Sequence, residues 1–354
     1  VDLAAQVVVV VLVVEALEAA SEEEVSLEVD QVEVGNKMKK YSILFLAVLV
    51  LFSCKENEHK QSKKELTKPY LYVLGVAQDA GYPQAGCEKE CCQRVYKNPE
   101  NQRFTVSLAL IDPISKENWI FDATPDFREQ LKLLSNQLEK PGNLPSGIFL
   151  THAHMGHYTG LMHLGREVMG ANEVPVFAMP KMKNYLENNG PWSQLVNLKN
   201  ISLKEIKHDS AQVLNERISV TPILVPHRDE YSETVGFLIQ VNSKKVLFIP
   251  DIDKWSKWGR DIISYIKQVD IALLDATFFK DGEIKGRTMS EIPHPFVEES
   301  MQLFSDLSEV DKAKVHFIHF NHTNPLLIDG SEAEKNVLSN GFNIAKQQMV
   351  IPLF

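Results

Sequence analysis

Short apolar runs separated by turn-forming residues recur along the chain from residue 70 onward. Residues 70–76, 106–111, 119–121, 147–150, 174–178, 218–225, 235–241, 245–249, 271–274, 315–318 and 348–352 read as strands, being β-rich and too short for helices. Residues 127–138, 181–188, 258–268 and 295–307 show helical spacing instead. Many short strands with helices inserted singly imply two sheets covered by helices, because each sheet must bury its apolar face. Periodicity alone cannot choose between that four-layer αββα sandwich and a doubly wound sheet.

The first 69 residues follow another pattern. Residues 1–37 contain no Met and combine a Val run with many Glu, so they are expected to be a tag or spurious upstream segment. Met38-Lys39-Lys40 is followed by the apolar run 43–52 and then by Ser53-Cys54. This arrangement resembles a bacterial lipoprotein signal peptide over residues 38–53, with Leu51-Phe52-Ser53-Cys54 as its lipobox. The alternative is a transmembrane anchor, but the run is well short of the roughly 20 apolar residues that cross a bilayer. A lipid on Cys54 is therefore expected, with a polar, Lys-rich tether over residues 54–69. The protein would then be anchored in the bacterial cell envelope, on the periplasmic face or the outer membrane. Residues 70–354 contain no repeat or low-complexity linker and are expected to form one catalytic domain.

Setting residues 1–37 apart changes the electrostatic picture. They carry nine acidic residues and one Lys, a net of −8 out of −10 for the whole chain. The remainder is nearly neutral, with no basic stripe suited to nucleic acid and no acidic field for cationic partners. A small-molecule substrate is the partner expected.

The histidines decide between the two architectures. Thr151-His152-Ala153-His154-Met155-Gly156-His157 follows the apolar run 147–150 and precedes the helix-like Tyr158-Thr159-Gly160-Leu161. His152 and His154, two apart, share one side of an extended segment, and His157 can return to the same cavity after a turn at Gly156. Three imidazoles at a strand end suit a metal such as Zn, Mn or Fe. The run resembles the H-x-H-x-D-H signature of the metallo-β-lactamase superfamily, whose fold is the αββα sandwich.

Further segments resemble the family in the same order. Trp119-Ile120-Phe121-Asp122 is similar to the strand whose Asp supports the histidine loop. Val225-Pro226-His227 is similar to the next ligand, Leu247-Phe248-Ile249-Pro250-Asp251 to the strand that delivers a bridging Asp, and Phe317-Ile318-His319 to the last ligand. The resemblance implies one site of His152, His154 and His227 and a second of His157 and His319, with Asp251 between them and Asp253 a rival for that role. Gly156 stands where the family has an Asp, so the second site is expected to be the weaker. One or two Zn2+ would be bound, with Mn2+ or Fe2+ as alternatives. Asp275, His294 and Asp122 are the expected catalytic residues, the first two assisting proton transfer and Asp122 supporting the loop.

Within the superfamily, Leu74-Gly75-Val76-Ala77-Gln78-Asp79-Ala80-Gly81-Tyr82-Pro83-Gln84 and His319-Phe320-Asn321-His322-Thr323-Asn324-Pro325 resemble the B proteins of pyrroloquinoline quinone synthesis. The phosphonate-pathway cyclic phosphodiesterases are related. Cys87, Cys91 and Cys92 cannot all pair internally, which favours a structural tetrahedral zinc over a disulfide with a free thiol. Resemblance to the phosphodiesterases supplies His322 as its fourth ligand. Three functions remain open: a metallohydrolase of phosphodiesters or small esters, which we favour; an iron-dependent oxygenase like the quinone-synthesis relatives; and a non-catalytic metal-binding lipoprotein. Specificity is expected in the loops 188–209 and 280–295.

Overall fold

Alternation within the strands explains why there are two buried layers. Along Tyr70-Leu71-Tyr72-Val73-Leu74, Leu71 and Val73 enter one apolar cluster while Tyr70, Tyr72 and Leu74 enter another on the opposite face. A strand buried on both faces reads as a continuous apolar run, as these do. The structure, a computed structural model, describes residues 66–138, 144–284, 286, 288 and 291–354. The expected upstream segment, signal peptide, Cys54 and all but the end of the tether lie outside the described residues. Among the described residues, no helix is long and apolar enough to cross a membrane.

The first sheet uses β1 (Tyr70–Gly75), β2 (Ser107–Asp112), β3 (Glu117–Phe121), β4 (Gly147–Phe149), β5 (Val174–Ala178) and β6 (Ile201–Glu205). The second uses β7 (Gln212–Val213), β8 (Ile218–Leu224), β9 (Val235–Val241), β10 (Lys244–Ile249), β11 (Ile271–Asp275), β12 (Val315–Ile318) and β13 (Asn343–Ile344). The last strand, β14 (Val350–Pro352), returns to the first sheet beside β1, giving the orders β14-β1-β2-β3-β4-β5-β6 and β13-β12-β11-β10-β9-β8-β7. In each sheet one half is antiparallel and the other, β3 to β6 or β10 to β13, is parallel.

Between the sheets, Phe121 and Phe149 of the first meet Phe237 and Phe248 of the second, and Phe177 stacks on Phe149 with ring centres 4.3 Å apart. The outer face of the first sheet is covered by Phe127 and Leu134, and by Met182, Leu186, Trp192 and Leu195. Ile262 and Ile266 on the helix Ile262–Gln268, and Phe304 just after the helix Val297–Leu303, complete the cluster of the second. The expected αββα sandwich is the observed fold. All the predicted strands form, but β6, β7 and β13 were not expected. The segment 188–209, expected to be a specificity loop, instead holds a helix, Trp192–Asn197, and the edge strand β6.

Candidate metal centre

Each functional side chain stands at or just beyond the C-terminal end of a strand: Asp79 after β1, Asp122 after β3, the histidine run after β4, His227 after β8, Asp251 after β10, Asp275 ending β11 and His319 after β12. Their ligand atoms fall into overlapping groups, each within 4.8 Å. His152, His154, His227 and Asp251 make the first, and Asp79, His157, Asp251 and His319 the second, so Asp251 belongs to both. Asp251 Oδ2 lies 3.2 Å from His152 Nε2, 3.2 Å from His227 Nε2 and 3.8 Å from His154 Nδ1. Asp79 Oδ1 lies 3.0 Å from His157 Nε2 and 3.4 Å from His319 Nε2.

Neighbouring side chains set the ring tautomers. The Thr151 hydroxyl donates to Asp122 and so accepts from His152 Nδ1, 3.0 Å away. Thr277 donates to Asp275 at 2.7 Å and accepts from His319 Nδ1 at 2.8 Å. His157 Nδ1 donates to Asp122 Oδ2 at 2.7 Å, and His227 Nδ1 donates to Asp253 at 3.3 Å. Each of these four rings therefore turns a bare Nε2 toward the centre, as metal-binding histidines do. His154 is reversed, with Nε2 on Glu230 and Nδ1 inward.

The same bonds sort the expected residues. Asp253 sits behind His227 and pairs with Lys257, so of the two rivals Asp251 is the carboxylate that the two clusters share. Asp122 is completely buried, and its carboxylate accepts from the N–H and hydroxyl of Thr151 and from the ring of His157, which makes it a positioning residue. Asp275 likewise holds His294, with Oδ2 2.9 Å from Nδ1, while the Nε2 of that ring has no partner among the described residues. Asp122 and His319 both have left-handed backbone, with φ of 67° and 69°, the kind of local strain that concentrates at functional sites.

Sequence reasoning gave Asp79 no role and expected the second cluster to lack a carboxylate because residue 156 is Gly. The structure corrects this. A Cβ on Gly156 would stand 2.4 Å from Asp79 Cα and 2.8 Å from its carboxyl carbon. Asp79 fills the space a residue-156 side chain would need and supplies the carboxylate from the loop after β1.

The electrostatics call for a cation. Burial opposes charge on His157, His227 and His319, yet the surrounding carboxylates outweigh it and raise all three, His319 to about 9. Burial also opposes ionisation of Asp79 and Asp251, and the histidines outweigh it to hold both well below the usual carboxylate range. His152 is pushed down by burial and by its neighbour His157. Its Nε2 and Asp251 Oδ1 are buried without a hydrogen-bond partner, a situation that costs about 1–3 kcal/mol per group unless something fills it. Imidazole nitrogens and carboxylate oxygens, with no Lys or Arg on Asp251 among the described residues, fit a divalent metal.

The sequence model of the β-lactamase superfamily domain matches residues 117–320, more than half the chain and nearly all of this constellation. The chain belongs to that superfamily. Coenzyme PQQ synthesis protein B from Methylorubrum extorquens is 22% identical over 312 residues, covering 80% of this chain and 100% of the relative. The Rhizobium meliloti protein of the same name is 25% identical, over 80% of this chain and 97% of its own. Among solved structures, Zn(2+)-bound PqqB from Methylobacterium extorquens superposes with a TM-score of 0.68 at 22% identity, covering 80% of this chain and 100% of that one. A diphosphatase of the PhnP family gives 0.57 at 22%, covering 80% and 96%. These likenesses establish the superfamily fold.

A second candidate site of this superfamily member lies apart from the first. Cys87, Cys91, Cys92 and His322 converge, with Cys87 Sγ 3.9 Å from Cys91 Sγ and His322 Nδ1 3.3 Å and 3.6 Å from Cys92 and Cys91 Sγ. Tetrahedral zinc with bonds of ~2.3 Å to sulfur and ~2.1 Å to nitrogen would space its ligands about 3.6–3.8 Å apart. The thiols are free, so the alternative of a disulfide is not what the chain forms here.

Proposed function

We propose that the chain is a metal-dependent hydrolase acting on phosphodiesters or other small esters. The observation that carries the reading is the placement of His294 beside the shared Asp251: its Nδ1 is 3.2 Å from Asp251 Oδ1 and hydrogen-bonded to Asp275, and the ring borders an open cavity. A divalent metal held by His152, His154, His227 and Asp251, with a second at Asp79, His157, Asp251 and His319, would supply activated water at neutral pH and polarise the scissile group. Asp275 fixes the orientation of His294 by accepting from Nδ1, leaving Nε2 free to take up a proton and pass it on to the departing oxygen. Thr277 locks that carboxylate through its N–H and hydroxyl. Zinc at the cysteine cluster would be structural, since four protein ligands leave no open position.

The test is metal analysis of protein purified without added metal, followed by a screen of bis-aryl phosphodiesters and lactones. Turnover that follows metal content supports the reading, and none with Zn2+, Mn2+ or Fe2+ overturns it. A second reading, a step in coenzyme PQQ synthesis, is favoured by the match over the full length of the relatives of that name; bound iron without hydrolysis would support it. We also propose the lipid anchor at Cys54 and a place in the bacterial cell envelope, on the strength of residues 38–54 alone.

A further inference from the structure

The cavity bordered by His294 has a wall that the chemistry above does not use. It has a volume of about 160 Å³, and beside His294 it is lined by the apolar Phe278, Ile292 and Pro293 and by the polar Gln78, Thr277 and Arg228. Phe278 and Ile292 are buried residues whose faces nevertheless border this space. Arg228 directly follows His227, is exposed, and makes no hydrogen bond or ion pair among the described residues. Of the carboxylates nearest in sequence, Asp229 accepts from Thr234, and Glu230 faces His154, feeling the Arg228 charge without a hydrogen bond or ion pair to it. The Gln78 side-chain amide makes no hydrogen bond among the described residues; only its backbone is bonded. A guanidinium left unpaired beside a carboxylate-rich centre is a ready partner for a ligand anion, which it can meet with two parallel N–H donors.

From this we infer that Arg228, Gln78 and Phe278 form a substrate subsite for a single planar ring bearing an anionic group, the ring lying against Phe278 and Ile292 and the anion meeting Arg228. Size sets the limit to one ring: a cavity of roughly 150 Å³ is enough to take up benzene. The reading rests on the hydrolase proposal only for what occupies the metal end, and it selects small aryl esters with a carboxylate over neutral or polymeric substrates.

The test is calorimetric and needs no turnover. Methylphosphonate, phenylphosphonate and 4-carboxyphenylphosphonate are titrated into the metal-loaded full chain. Phenylphosphonate should bind about tenfold tighter than methylphosphonate through ring burial, and the added carboxylate should bring about another tenfold. In Arg228→Ala the ratio between the last two ligands should fall to about one, and Arg228→Lys should keep part of it because it retains the charge without the fork. Melting curves matching wild type check that the variants fold. A flat ratio in wild type, or an undiminished one in Arg228→Ala, overturns the subsite. Discrimination without hydrolysis of any diester leaves the subsite standing and removes the hydrolase reading; hydrolysis with flat ratios does the reverse.

Discussion

Replacing Asp79 by Asn should weaken one metal position and spare the other. Asn keeps the shape of the side chain but removes the anionic oxygen that lies 3.0 Å from His157 Nε2 and 3.4 Å from His319 Nε2. Two imidazoles and Asp251 remain at that position, while His152, His154, His227 and Asp251 keep their full set. Interactions involving a charged group are worth about 1.5–3 kcal/mol, which corresponds to roughly 10- to 150-fold in affinity. Competitive metal titration of the apo-protein should therefore show one tight site near wild-type strength and one weakened by that factor, with about one active-site equivalent lost on dialysis. The complementary variant, Gly156→Asp, should gain nothing. Its Cβ would meet Asp79 Cα at 2.4 Å, backbone that cannot swing aside, and overpacking of this kind costs about 1–3 kcal/mol. Unchanged metal affinity in Asp79→Asn would refute the assignment, as would a fully stable Gly156→Asp protein with additional metal.

Three further outcomes are expected. His294→Ala should slow diesters with alkyl leaving groups by about 10²–10⁴ and those with p-nitrophenolate far less, because only a poor leaving group needs the proton; equal losses on both would remove His294 from that role. Cys91→Ser or His322→Ala should lose about one zinc per chain and lower the melting temperature, since a closed site contributes folding energy; unchanged zinc content would count against the cluster. Cys54→Ser should move the protein from the membrane fraction to the soluble one, because a lipoprotein's several acyl chains hold it stably, and continued retention would point to an uncleaved apolar anchor.

Much of this was legible because the chemistry is local. His152, His154 and His157 lie within six residues, and a strand before them reads plainly from Gly147-Ile148-Phe149-Leu150. Asp79 was not, although the stretch Gln78-Asp79-Ala80-Gly81 resembles the quinone-synthesis proteins: its partner His157 is 78 residues away, and nothing local shows that Gly156 leaves room for it. A usable signal existed, since Asp79, Asp122 and Asp251 all stand one to four residues beyond an apolar strand. Strand β6 was missed because its last residues are exposed, so Ile201-Ser202-Leu203-Lys204-Glu205 lacks the apolar continuity of the central strands. The free guanidinium of Arg228 is invisible in sequence for the same reason as Asp79. Whether a charge is paired depends on what the rest of the fold brings to it.

The two candidate metal sites are connected through the backbone, which gives the cysteine cluster a reach beyond stability. Phe320, next to His319, donates its N–H to the Val76 carbonyl and accepts from the Gln78 N–H, each at 2.8 Å, so the segments carrying Asp79 and His319 are laced together. Beyond this lacing the same two segments run on to Cys87 and to His322, where the cluster closes them again. Asp79 is partly exposed and belongs to a loop, unlike the buried Asp251 and Asp275. A loop ligand is held only as well as its two ends. Zinc at the far end would help Asp79 and His319 keep the 3.4 Å separation that lets one ion touch both; without it, the loop is restrained by β1, by the two bonds to Phe320 and by the backbone pairing of Ala77 and Tyr82 with residues 103–106. Loss of the cluster should then weaken the position of Asp79, His157 and His319 before that of His152, His154 and His227, whose strands β4 and β8 are in the two sheets and independent of either segment.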